Sequence, residues 1–193
     1  MSFLGMWCLL PMTADAITQY TPDLQPAIDA EATQPRSRDL LQWWHEKGSS
    51  EETRHQLIEA AAPSALDEQI CLVYEAWEHG RDDSLPRLVV SARNSYPAAA
   101  LAYALGPERF AHMPGWFGDL ILTPEQVRQT LTAIEQAFTW NTQNRRQAEQ
   151  RLAAALRDEG DQADIDALLD GVPPVWRAAA AADRGLLGAH FIP

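Results

Sequence analysis

The sequence predicts an α+β domain, mainly helical, with a small sheet that includes the N-terminal strand. Three observations carry this. Residues 3–10 form an apolar run too short for a membrane span and suited to a buried strand. Most of the rest divides into stretches of helical period, each with its own start and stop residues. The composition, 46% apolar and 22% charged over 193 residues, supplies enough apolar side chains for a real core.

In the first strand, Gly5 predicts a bulge or a close backbone approach. Thr13 or Asp15 is expected to cap a short helix over residues 16–20, ended by Pro22, with surface loop to Arg38. Ser37 then caps a helix to Lys47 that closes at Gly48, with Leu40, Trp43 and Trp44 on one face. A further helix after Ser49 or Ser50 buries Leu57, Ile58 and Ala61. Ser64 and Asp67 open the next, with Leu66, Ile70, Val73, Tyr74 and Trp77 as its apolar stripe and Gly80 as its end. Residues 85–90 are read as a second strand or, since the Leu88-Val89-Val90 core is short, as a helical turn. Pro97 sits at the first position of a helix running to Leu105 and Gly106. Residues 107–120 are expected to be a loop carrying Phe110, Trp116 and Phe117. Thr123-Pro124-Glu125-Gln126 combines an N-cap, a proline at the first helical position and a capping-box glutamine, and Val127, Leu131, Ile134 and Phe138 follow as a buried stripe. We expect residues 1–140 to form the core domain. Residues 141–193 are expected to form a helical C-terminal extension packed on the same domain, ending in an apolar tail or strand.

Fifteen basic against 27 acidic side chains leave a net charge of −12. Such a surface repels a phosphate backbone, so nucleic acid is excluded as a partner. No run of about 20 apolar residues exists, so no membrane span is expected, and the N-terminus lacks the basic start and cleavage site of a signal peptide. Cys8 and Cys71 read as small buried hydrophobes in a reducing compartment, which places the protein in the cytoplasm.

Several segments in order resemble the YfbM-like proteins, a bacterial family of small cytosolic domains. They are Gly5-Met6 in the first strand, Leu66-Asp67 opening a helix with Trp77 and Gly80, the Pro97 to Gly106 element, an aromatic-glycine loop, and Leu122-Thr123-Pro124-Glu125-Gln126-Val127. The resemblance covers about two-thirds of the chain. Where the family places a tryptophan and then a histidine early in the Leu-Asp helix, this sequence has Glu68, Gln69 and Ile70. The resemblance implies a mixed α+β fold with helices around a small sheet, and it brings no catalytic residues.

Motifs for chemistry are sparse. His55 and Glu59 share a helix face at i, i+4, but no third ligand follows the spacing, so no metal and no cofactor are expected. The acidic run Asp158, Glu159, Asp161, Asp164, Asp166 and Asp170 fits no calcium-loop register and reads as a helix start within a one-sign field. No serine lies in a nucleophile elbow. The aromatic loop and the acidic run together give the candidate recognition surface: His112, Trp116, Phe117, Asp119, Asp161 and Asp164. The favoured function is a non-enzymatic binding domain, immunity-like or regulatory, for a basic protein partner. The alternative is a small-molecule hydrolase or transferase with a pocket near residues 107–120. A homo-oligomer through the alanine-rich C-terminal helices is a third possibility.

Overall fold

A computed structural model describes residues 2–62, 64–156 and 162–192. Its secondary structure is helical in the main, around one sheet. The sheet holds β1 (Leu4–Met12), β2 (Leu88–Arg93), β3 (Leu120–Leu122) and β4 (Gly185–Phe191) in the order β2-β1-β4-β3, every pairing antiparallel. The fold is therefore α+β and mainly helical, with the N-terminal strand inside the sheet.

Antiparallel partners point to the same side of a sheet, so the register sorts the side chains onto two faces. Leu4, Met6, Cys8 and Met12 share one face with Val89, Phe191 and Gly185. Trp7, Leu9, Leu88, Val90 and His190 share the other. Helices α1 (Ala14–Thr33) and α4 (Ile70–Gly80) cover the first face: a Cβ at Gly185 would meet Ile17, one at Gly80 would meet Met12, and the Tyr74 ring lies 5.4 Å from Phe191. Helices α2 (Pro35–Lys47), α3 (Glu51–Ala61), α5 (Pro97–Leu105), α6 (Pro107–Phe110), α7 (Pro124–Ala137), α8 (Thr142–Ala155), α9 (Gln162–Asp170) and α10 (Val172–Ala181) complete the chain. All nine residues of α5 are buried, among them five alanines, so this helix passes through the interior. Gly5 meets its expectation of close approach, since a Cβ there would lie 2.0 Å from the Ser95 carbonyl oxygen.

Two expectations fail, each for a physical reason. The first helix does not end at Pro22; α1 runs 20 residues through Pro22 and Pro26. Each interior proline costs about 3 kcal/mol. Against this, Ile17, Tyr20, Leu24 and Ile28 recur at helical spacing and are all buried, each contributing about 1.5–3 kcal/mol. The second helix starts at Pro35 and not at Ser37, which is buried inside it and donates its hydroxyl to Glu31. Residues 185–191 form a strand, one of the two forms expected for the tail. β4 sits between β1 and β3, all seven of its residues are buried, and the sheet is incomplete without it. The buried side of α10, with Val172, Val175, Trp176 and Ala179, packs within the chain against α7 and β1. Cys71 is also exposed, unlike Cys8, whose thiol burial pushes up to about 12.

Candidate functional site

The segment from Gly106 to Leu122 is where sequence and structure differ most. It begins with the single helical turn α6 and then reverses in a two-residue turn, with Trp116 and Asp119 exchanging backbone hydrogen bonds of 2.9 Å. Both central residues have positive φ, Phe117 at 40° and Gly118 at 102°, as a type I′ turn requires. Glycine takes that conformation without strain, whereas phenylalanine does not. Phe117 is held there by its ring contacts: stacked on Phe110 at 4.7 Å, edge-on to Trp116 at 4.8 Å, and 6.1 Å from Trp44. Trp116 and Phe117, expected at an exposed recognition surface, are 3% and 1% exposed and belong to the core. The apolar area of two large rings, surrounded by two more, explains the inward turn. His112 alone of this segment's candidates is exposed.

Asp119, also expected at the surface, is fully buried and accepts hydrogen bonds on both carboxylate oxygens. Its Oδ1 accepts the backbone N–H of His190 at 3.0 Å, and its Oδ2 accepts the Ser64 hydroxyl at 2.9 Å and the Ala65 N–H at 2.7 Å. His190 Nδ1 lies 3.3 Å from Oδ1, an ion-pair separation without hydrogen-bond alignment, because that oxygen already faces the His190 main chain. On the other side of the ring, Nε2 is 2.9 Å from the Ala62 carbonyl, which only accepts, so Nε2 carries a proton. Burial lowers the imidazole pKa, but the Asp119 carboxylate and the Ala62 carbonyl together outweigh it, and the value stands above the ordinary one.

Serine, histidine and aspartate thus meet without forming a nucleophile relay. A relay needs the hydroxyl on the histidine and the carboxylate behind it. Here the Ser64 hydroxyl is on the carboxylate, and the outer histidine nitrogen is closed by a main-chain carbonyl. The cluster joins β4, the turn before β3 and the segment after α3. Beside it lies a cleft of about 410 Å³ lined by Glu59, Asp67, Tyr96, His190 and Phe191. Burial raises the Asp67 pKa, the nearby His190 charge lowers it and Asp119 raises it again. His190 is recognisable in sequence only as an ionisable residue within the apolar run 186–191, which demands a buried partner; nothing local identifies Asp119 as that partner.

A second concavity, about 420 Å³, opens between α2 and α6. Leu41, Trp44, Phe110, Met113 and Trp116 line it. This concavity adjoins residues 107–120, and its opposite wall is α2, the Pro97 helix being buried.

The acidic run of the C-terminal third divides. Asp158, Glu159 and Asp161 lie outside the described residues. Arg145 of α8 reaches Asp166 at 3.2 Å, Glu149 at 2.8 Å and also Asp170. Asp164 is half-buried on α9. Among the described residues no group of three or more His, Cys, Asp or Glu is placed to hold a metal, and His55 and Glu59 form an exposed pair at 3.1 Å. No described helix is long and apolar enough to cross a membrane.

Charge is distributed unevenly in a way that only the fold reveals. Residues 1–35 and 55–80 contain nine acidic side chains and no lysine or arginine, so nine of the twelve net negative charges reside there. The fold packs the helices of these two segments, α1 and α4, side by side on one face of the sheet. The Tyr20 hydroxyl donates to Glu75 across that contact at 3.2 Å. On the outside, Glu68, Cys71, Glu75 and Glu78 follow helical spacing and are exposed, with Tyr74 beside them at 42% exposure. Comparison with protein-family models, with curated proteins and with solved structures finds nothing that matches this chain.

Proposed function

We propose that the protein is a non-enzymatic binding domain whose α1–α4 layer receives a basic protein partner, in an immunity-like or regulatory role. The observation that carries this is the exposed stripe Glu68, Cys71, Glu75 and Glu78 with Tyr74, running along α4 from the turn before it, in a two-helix layer that has no lysine or arginine of its own. Like charges held together repel one another and destabilise the compact state, so an unbalanced face is a cost to folding. A cationic partner relieves that repulsion, and complementary charge raises the rate and selectivity of encounter. Tyr74 supplies what charge alone lacks. A tyrosine at the centre of a polar surface gives contact area with little side-chain entropy to lose, and such residues dominate interface energetics. The closed Asp119–His190 cluster supports binding over hydrolysis, since neither imidazole nitrogen is placed to take a proton from a nucleophile.

Affinity capture from the native host's lysate tests this reading. A basic protein is expected to co-purify stoichiometrically at low salt and to fall away as salt screens the interaction. It is also expected to be lost from a Tyr74→Ala variant. Capture that is indifferent both to salt and to Tyr74 contradicts the proposal.

A further inference from the structure

We propose that the concavity where the α2–α3 turn meets the α5–α6 junction binds the phosphate group of a small soluble molecule, held by Arg151, Arg109 and the Ser49 hydroxyl. With 27 acidic and 15 basic side chains, carboxylates are in excess, and most of the described arginines pair with one. Arg145 takes three, Arg184 lies 2.8 Å from Asp82 and Arg87 2.7 Å from Asp83. Among the described residues, neither Arg109 nor Arg151 forms an ion pair. Both line one concavity of about 300 Å³, together with His45, Gly48, Ser49 and Gly106. Each is part-exposed, so a solute reaches it.

Three features single out an anion here. First, Arg109 is fixed before anything binds. Its Nη1 donates to the Ala137 and Thr139 carbonyls at 2.7 and 2.8 Å, and its guanidinium carbon lies 4.6 Å from the centre of the Trp140 ring. Those carbonyls carry only partial charge, and a guanidinium has five N–H donors, so both charge and donors are left over. Second, the Ser49 hydroxyl accepts the Trp44 indole N–H at 3.2 Å, which leaves its own hydrogen for another acceptor. Third, a Cβ on Gly106 would lie 3.6 Å from Arg151 Nη1 and 3.8 Å from Ser49 Oγ, so guanidinium and hydroxyl converge on one point that the glycine leaves open. Nearby carboxylates do not cancel this charge. Glu108 lines the concavity but is exposed and pairs with neither arginine. Glu51, whose charge acts with that of Arg151 on the Tyr103 hydroxyl, is held by Arg54 at 2.7 Å. Two guanidinium forks suit a doubly charged phosphate better than a carboxylate. The volume is at the lower end for ligand pockets, which suits a phosphate ester with a small body. The net charge of −12 opposes an anionic bilayer, so the carrier is soluble. No residue of α4 lines this site, and it does not rest on the reading of that surface.

The test titrates the full chain, labelled with nitrogen-15, with methyl phosphate, acetate or chloride at matched ionic strength. Methyl phosphate is expected to move the Ser49 and Gly106 backbone resonances saturably and to bind at least fivefold more tightly than acetate, with no saturable shift from chloride. Arg151→Gln is expected to weaken methyl phosphate at least tenfold, its spectrum elsewhere showing that the chain stays folded. Arg151→Lys keeps the charge without the fork and is expected to fall between parent and Arg151→Gln. Arg146→Gln removes the same charge from an exposed position on the same helix and is expected to bind within twofold of the parent. Vesicles containing phosphatidic acid are expected not to sediment the protein. The proposal is overturned if methyl phosphate gives no saturable shift at these residues, or if acetate binds as tightly. It is equally overturned if Arg151→Gln and Arg146→Gln weaken binding alike, or if the vesicles sediment the parent but not Arg151→Gln.

Discussion

The two faces of the sheet carry their acidic side chains in opposite ways. On the side of α8, α9 and α10, carboxylates have basic partners: Arg145 gathers Glu149, Asp166 and Asp170, Arg177 pairs with Glu135 at 3.0 Å, and Arg128 with Asp183. On the side of α1 and α4 neither helix contains an arginine or lysine; Glu31 at the end of α1 reaches Arg36 of α2 at 2.9 Å, and Glu75 accepts only the neutral Tyr20 hydroxyl. Asp119 is the extreme of the first kind, buried and bonded on both oxygens. The difference separates two uses of one residue type. Partnered carboxylates act within the molecule, where their loss weakens the fold. Glu68 and Glu78 are exposed and carry their charge on the outside of the layer.

Substitutions sharpen this contrast. The largest effect is expected at Asp119, where alanine leaves the buried His190 N–H and the Ser64 and Ala65 donors without their acceptor. A loss of about 3–5 kcal/mol in urea unfolding is predicted, as for other buried pairs broken on one side. Arg145→Met removes a half-exposed network and is expected to cost about 1 kcal/mol by the same measurement, less at high salt. The His190 term appears in pH dependence. Its folded pKa lies above the unfolded value of about 6.5, so its contribution is complete below that pH and is lost as pH rises through the folded value. Unfolding midpoints measured across this range are expected to fall in the parent, with that component absent in His190→Gln. The smallest effect is expected on the outside of α4 and the turn before it: Glu68→Lys with Glu78→Lys is predicted to change stability by no more than about 0.5 kcal/mol.

Much of the fold was legible locally. The Thr123–Gln126 capping box forms as read, with Thr123 accepting the Gln126 N–H at 3.2 Å and the Gln126 side chain accepting the Thr123 N–H at 2.8 Å, and Pro97 opens α5 as expected. Such signals are carried by residues three or four apart, and sequence displays them directly. What was not legible depends on distant partners. Pro22 is a strong local stop, but the stripe through Ile17, Tyr20, Leu24 and Ile28 overrides it only because another layer buries it. Residues 185–191 read as tail or strand until β1 and β3 are there to flank them. Trp116 and Phe117 show aromatic character in sequence, though the direction of their rings depends on Phe110 nearby and on Trp44, about 70 positions earlier in the chain. The candidate site suffered most for this reason. Asp119 and His190 are 71 residues apart, and the acidic layer exists only because α1 and α4 pack together.

The central claim is that charge on α4, and not charge in general, selects the partner. Its most direct measurement is quantitative capture by two variants of equal net charge, Glu68→Lys with Glu78→Lys along α4 and the turn before it, and Glu125→Lys with Glu135→Lys on α7. Each reduces the net charge from −12 to −8. The account predicts that the α4 variant loses the basic partner at least tenfold while the α7 variant retains it. Equal loss from both variants, or retention by the α4 variant, would contradict it.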